Sequence, residues 1–134
     1  IKEIFRVSKK DAQIGISVPR WLPENICWLL SDDYHNEPGG HVHIFKFRIL
    51  KKAFESNGFS YLFNYYKHGL HSPYWWLKCF VGVKNDKNIF VNSYQKFLEW
   101  DIMKRPILTV FLEKIFDPLI GKSVVLYFKK NTSD

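Results

Sequence analysis

Two small groups of histidines carry the clearest chemical potential in this chain. His41 and His43 alternate within Gly39-Gly40-His41-Val42-His43-Ile44-Phe45. Residues two apart share one face of a strand, so the pair has the makings of half a metal site. No Cys, Asp or Glu sits at a compensating local spacing, and a lone His-x-His is not specific. The plainer expectation is one histidine hydrogen-bonded in the core and the other in solvent, with no metal bound. His68, His71 and Tyr74 form the second group. Imidazole titrates near working pH, so His68 and His71 are candidate general bases toward a hydroxyl acceptor. The competing expectation is a loop whose histidines cap a helix start.

These groups need elements to hold them. The paired Gly39 and Gly40 release the chain from a polar loop over residues 31–40, and a helical period follows over 45–54. Phe47, Ile49, Leu50, Ala53 and Phe54 supply its apolar set, while Lys46, Arg48, Lys51 and Lys52 fill its outer face. Asn57-Gly58 closes it, since glycine tolerates the positive φ found just past a helix end. Upstream, residues 1–7 read as the end of an amphipathic helix. Residues 12–18 are a β-branched run suited to a strand buried on both faces, and Pro19 ends it. Residues 21–30 form a short helix with Pro23 and Glu24 near its amino end. Downstream, 59–66 is an aromatic strand, 68–74 a loop and 74–83 a buried helix. Residues 90–104 and 107–116 are helical, separated by Pro106, and 123–130 is a final strand. Residues 131–134 should fray. The order is that of an α/β domain. It divides into a strand-loop-helix-strand unit (1–71), a helical insertion (72–121) and a closing strand (122–130).

Composition narrows the partners. The chain has 134 residues, ample apolar content for one core and a net charge of +7, which favours an anionic partner. Cys27 and Cys79 form no metal spacing and read as buried thiols in a reducing cytosol. No signal peptide or membrane-length apolar run is visible, which points to a cytoplasmic chain. The opening Ile1 suggests a piece of something longer. The aromatic residues Trp21, Trp28, Tyr74, Trp75 and Trp76 are core by default. The basic sets Lys46, Arg48, Lys51, Lys52 and Lys129, Lys130 match no nucleic-acid motif and read as solvated faces.

Longer stretches carry a family likeness. Glu3-Ile4-Phe5-Arg6-Val7, a Lys-rich turn, residues 12–18 and Pro19 resemble the E-x-x-R-V-L-K-P-G-G, strand, proline segment of class I S-adenosylmethionine-dependent methyltransferases. Gly39 to Phe45, Leu50 and Asn57-Gly58-Phe59 are similar to the segment that follows it. There a glycine and a histidine precede a helix that ends in Gly-Phe and enters the sixth strand. Residues 68–79, 100–104 and 121–127 resemble a bacterial branch of these enzymes. The likeness covers nearly the whole chain but only the carboxyl-terminal half of the family domain. Two departures stand out: the turn Lys9-Lys10-Asp11 lacks Pro-Gly-Gly, and no strand leads into a G-x-G-x-G turn.

The resemblance implies a Rossmann-like methyltransferase sheet of which three strands are present, the last antiparallel and inserted between the other two, with a helical insertion before it. It implies S-adenosylmethionine as cofactor of the intact domain, gripped little by this piece, which alone would be inactive. Pro19, Arg20, Trp21, His41, His43 and Tyr74 fall on the acceptor side. The strand at 12–18 would present an open edge to a second copy or to the amino-terminal half. Residues 21–30 fall where some family members carry a membrane-touching insertion, which makes a lipid-linked or membrane-proximal acceptor an expectation. The alternative is a non-catalytic basic α/β module that binds an anionic lipid surface or nucleic acid.

Overall fold

The computed structural model describes residues 1–38, 40, 41, 43–85 and 87–131. Gly39, Val42, Asp86 and residues 132–134 lie outside the described set, and with them the first glycine of the loop pair and the frayed terminus expected from the sequence. The elements run α1 (Lys2–Val7), β1 (Gln13–Pro19), α2 (Trp21–Leu30), α3 (Asp32–His35), α4 (Phe47–Glu55), β2 (Phe59–Lys67), α5 (His71–Val81), α6 (Ile89–Lys104), α7 (Ile107–Ile120) and β3 (Ser123–Lys130).

The chain is α/β, with a three-stranded antiparallel sheet in the order β1-β3-β2. β3 is antiparallel to both neighbours, so β1 and β2 run the same way and end at the same edge. β1 pairs in unbroken register, Ile14 opposite Phe128, Ile16 opposite Leu126 and Val18 opposite Val124. β2 carries a bulge between Tyr61 and Phe63. The extra residue shifts the alternation, so Tyr61 and Tyr66 face the core while Phe63 and Tyr65 face away.

Among the described residues, only one face of this sheet is covered. Leu50 and Phe54 of α4 bury against Phe59, Val124, Leu126 and Phe128, with Phe5, Phe47, Ile14, Ile16 and Val18 packed around them. Phe54 stacks on Phe128 at 4.6 Å, and Phe5 meets Phe59 edge-on at 5.4 Å. The opposite face carries the stacked pair Phe63 and Tyr127 at 4.7 Å. There Gln13, Gly15 and Ser17 are exposed. The expectation that residues 12–18 form a strand buried on both faces is corrected: β1 alternates, because no helix of the described chain packs on its second face.

A second core lies in the helical segment, where Leu70, Tyr74, Val91 and Leu98 pack with Trp75, Tyr94, Phe97, Leu112 and Phe116. Asn88 caps α6, its side-chain oxygen accepting from the Phe90 and Val91 amides at 3.0 and 3.2 Å. Gly58 has φ +87°, and a Cβ there would lie 2.5 Å from Phe5, so both backbone and packing require glycine. Three local expectations are revised. Residues 32–35 form a helical turn inside the expected loop, because the Ser31 hydroxyl accepts from the Tyr34 amide at 3.1 Å. α5 begins at His71 rather than 74, so the helical segment starts inside the expected loop. Neither His41 nor His43 lies in a strand, so the shared strand face expected for the pair is absent.

Candidate functional site

The carboxyl ends of β1 and β2 and the start of β3 are tied into one edge. The Arg20 amide donates to the Lys122 carbonyl at 2.8 Å, and the Lys122 amide to the His68 carbonyl at 3.3 Å. Two clusters of ionisable groups flank this seam.

The first joins α2, α3, α5 and the turn before β3. Glu24 is 0% exposed. Its carboxylate pairs with the Lys122 ammonium, whose side chain is 13% exposed. The Tyr34 hydroxyl donates to Glu24 Oε2 at 3.1 Å. Lys122 Nζ also lies 3.4 Å from the Tyr34 hydroxyl and 3.6 Å from Cys27 Sγ. A buried charge needs a partner and hydrogen bonds of this kind. Burial and the neighbouring Glu24 carboxylate push the Tyr34 phenol up, so it stays a donor. Cys27 and Cys79 are buried free thiols, as expected. The neighbouring Cys79 thiol, and then the Lys122 charge, hold the Cys27 thiol below its ordinary pKa against the cost of burial.

Lys122 also reaches the wall of an open cavity of about 570 Å³ lined by Tyr34, Glu37, His41, Trp75, Lys78 and Lys84 among others. Its ammonium stands 5.5 Å from the Tyr34 ring centre and 5.4 Å from that of Trp75. Lys78, Lys84 and Lys122 line the cavity with the exposed Glu37 between two aromatic walls, though Lys122 is paired with Glu24 and Lys84 lies 4.0 Å from Asp33. A basic and aromatic lining of this kind suits a ligand with a polar group and an apolar body. A smaller cavity of about 180 Å³ on the β1 side is lined by Pro19, Glu24, His41 and Lys122.

The second cluster lies beyond β2, in a cavity of about 230 Å³ lined by Lys67, His68, His71, Asp101, Arg105 and Glu113 with Ile102 and Val110. Asp117 braces it, accepting from the Gly69 amide at 2.8 Å and from Lys67 Nζ at 3.1 Å. Gly69 is required here, since a Cβ would fall 2.6 Å from the Phe116 carbonyl carbon. His68 and Arg105 hold left-handed backbone at φ +64° and +43°. Non-glycine residues keep such angles only where the surroundings fix them. The two imidazoles meet at 5.1 Å. His71 Nδ1 is buried without a hydrogen-bond partner. Burial, and next the His68 charge, lower the His71 pKa and keep its ring neutral at ordinary pH. His71 thus lines the cavity as a neutral imidazole, the form a general base needs, although its unpartnered Nδ1 is itself shielded from solvent. The helix-cap alternative is not what the structure shows: α5 has Leu70 at its N-cap, and no side-chain cap hydrogen bond is made there among the described residues.

The remaining sequence candidates separate. His41 lines both cavities around Lys122. His43 is exposed and packs edge-on to Phe45 at 4.6 Å. Neither histidine is in the core, contrary to expectation: both are exposed, and it is the neighbouring apolar Ile44 that is buried. Among the described residues no group of three or more His, Cys, Asp or Glu is placed to hold a metal. Arg20 is a brace, donating to the Pro118 and Leu119 carbonyls at 3.1 Å and covering the Tyr66 ring at 3.9 Å. With Trp21 it lines a separate apolar pocket of about 200 Å³. Tyr74 is core. Trp28 stacks on His35 at 4.3 Å, and Trp76 Nε1 donates to the Pro23 carbonyl at 3.1 Å, which fixes α2 against α5. Lys130 closes the end of α1, donating to the Phe5 and Ser8 carbonyls at 2.8 Å.

Sequence reasoning missed Glu24, Tyr34 and Lys122. Glu24 three residues before Cys27, on the side of α2 that also carries apolar residues, was the available signal. No local pattern links either to Lys122. No family model matches the chain, and no curated protein or solved structure matches it either.

Proposed function

We propose that this chain is the carboxyl-terminal, acceptor-side part of an S-adenosylmethionine-dependent methyltransferase. The observation that carries the reading is the sheet: two parallel strands with the last, antiparallel strand inserted between them. That is the arrangement the sequence resemblance implies for strands five, seven and six of the family. The position of the cavities adds support, since open α/β sheets bind ligands outside the carboxyl ends of their strands. In this reading the cavity of Lys122 and His41 receives an acceptor bearing a polar group, and His71 is the candidate base. The described residues do not fit the cofactor: neither β1 nor β2 leads into a glycine-rich turn with a following acid. They would shape and orient the acceptor, and the cofactor's grip would come from elsewhere.

The open edge of β1 is the seam this reading assigns to the remaining half-sheet or to a second copy. The deciding experiment extends the chain by the coding sequence that precedes Ile1 and measures S-adenosylmethionine binding by calorimetry. A glycine-rich strand-turn-helix in that frame and saturable binding are expected. A frame without it, or a longer chain that holds no cofactor, overturns the proposal. The convergence of Lys78, Lys84 and Lys122 on one cavity favours a second reading, a non-catalytic anion-binding module. That reading gains if the longer chain binds anionic ligands but transfers no methyl group.

A further inference from the structure

The corner made by the end of α6 and the whole of α7 has an unusual surface. Between residues 102 and 120, the exposed residues are Ile102, Met103, Ile107, Leu108, Phe111, Ile115, Pro118 and Leu119, together with the cations Lys104, Arg105 and Lys114. Ile107 is 89% exposed, Met103 79% and Phe111 58%. The acids of the same stretch are turned inward. Asp117 is buried on Lys67 and the Gly69 amide, and Glu113 lines the cavity of His68 and His71, as does the neighbouring buried Asp101. The exposed face is therefore apolar and cationic, with no exposed carboxylate among its described residues. An ordinary solvated helix does the reverse and places charges of both signs outward.

From this segregation we infer that the α6–α7 corner docks in the interface of an anionic lipid bilayer. Helices that lie in a membrane plane combine an apolar face with flanking Lys and Arg. Each cation near an anionic surface strengthens binding by about fivefold. No helix among the described residues is long and apolar enough to cross a membrane, so α7 would lie along it. A second copy is the poorer occupant. An isologous pairing of this face would bring Lys104, Arg105 and Lys114 against their own copies with no acid between them. Ile102 and Arg105 also line the cavity of His68 and His71, whose margin would then sit at the lipid surface, within reach of a lipid-borne ligand. Docking itself does not rest on the methyltransferase reading, because its assay reads binding and not turnover.

The test is co-sedimentation with vesicles of phosphatidylcholine alone and of phosphatidylcholine mixed with phosphatidylglycerol. Pelleting with the mixed vesicles, weakened by salt and slight with the neutral ones, is expected. Leu108→Asp with Phe111→Asp should lower the affinity more than about tenfold, and Lys104→Glu with Lys114→Glu at least about tenfold. Leu29→Asp, at an 84% exposed site on α2, should change nothing. Unaltered thermal melting of each variant separates lost docking from lost folding. Absence of pelleting by the parent chain overturns the inference, as does loss through Leu29→Asp instead. So does a dimer, seen by light scattering, that Leu108→Asp with Phe111→Asp dissolves while vesicles are ignored.

Discussion

Helices α4 and α7 are both amphipathic and both pack one face on a core, yet they present opposite surfaces to the outside. α4 buries Leu50 and Phe54 and exposes Arg48, Lys52 and Glu55; Ile49, expected in its apolar stripe, is its one large apolar side chain turned out, at 61% exposure. α7 buries Thr109 and Asp117 and exposes Ile107, Leu108, Phe111, Ile115 and Leu119. The difference teaches that a helical period identifies a stripe of like residues but not the side on which the stripe is needed. In α4 the apolar stripe meets a sheet. In α7 part of the apolar stripe is left over, because the inward face must also deliver Asp117 and Glu113 to the end of β2.

That contrast is open to direct attack, beginning with the largest effects. Phe128→Ala in the sheet core, fully buried beneath α4, should cost about 3–5 kcal/mol by denaturant unfolding. Phe111→Ala on α7 should fall within about 0.5 kcal/mol. Equal costs would mean that α7 covers a core and that the contrast is wrong. Lys122→Met leaves the Glu24 carboxylate buried and unpaired and should cost about 3–5 kcal/mol, with most of it recovered in Glu24→Gln, Lys122→Met. A single variant as stable as the parent would show that the pair is not what holds α2 on β3.

Gly58→Ala, which forces a side chain onto positive φ and into Phe5, should destabilise by about 1–3 kcal/mol. Its measure is the loss of the α1 contact in the same denaturation assay.

A pH series sharpens the helical side. The His71 pKa is lowered by burial, then by His68, so the unfolded chain binds a proton that the native chain refuses. Stability from this group is full above about pH 6.5 and is lost as pH falls from there through the lowered native value. His71→Gln should flatten that acid limb when unfolding midpoints are compared across pH, and an unchanged limb would assign it to other groups. The smallest effect belongs to α4: Arg48→Glu should leave both unfolding and vesicle binding unchanged, and a loss of vesicle binding there would remove the distinction between the two helices.

Much of the architecture was legible because it is local. The helical periods of α4 and α6, the β-branched or aromatic runs of β1, β2 and β3, and the positive φ at Gly58 each follow from neighbours within a few positions. The helical turn at Asp32–His35 was not, since it depends on one serine cap inside a polar loop. The candidate site was legible only in part. His41 and His71 were singled out by chemistry, but the reasons differ from what was expected: His41 lines cavities without a strand beneath it, and His71 is a half-buried helix residue whose shielded Nδ1 has no partner. Tyr74 and Arg20 looked like site residues and are packing and bracing ones, because chemistry-bearing side chains also serve structure.

The sequence by itself determined an α/β order of elements, where most of the helices and strands lie, and a strongly basic balance. Tertiary structure decided the rest. It set Glu24 against Lys122 across 98 positions of chain, gathered Lys67, His71, Asp101 and Glu113 around one cavity, and turned the acids of α7 inward while leaving its apolar residues outside. Short-range propensity is written in adjacent residues. The pairing of buried charges and the choice of which helix face meets solvent arise only when distant segments compete for the same partners.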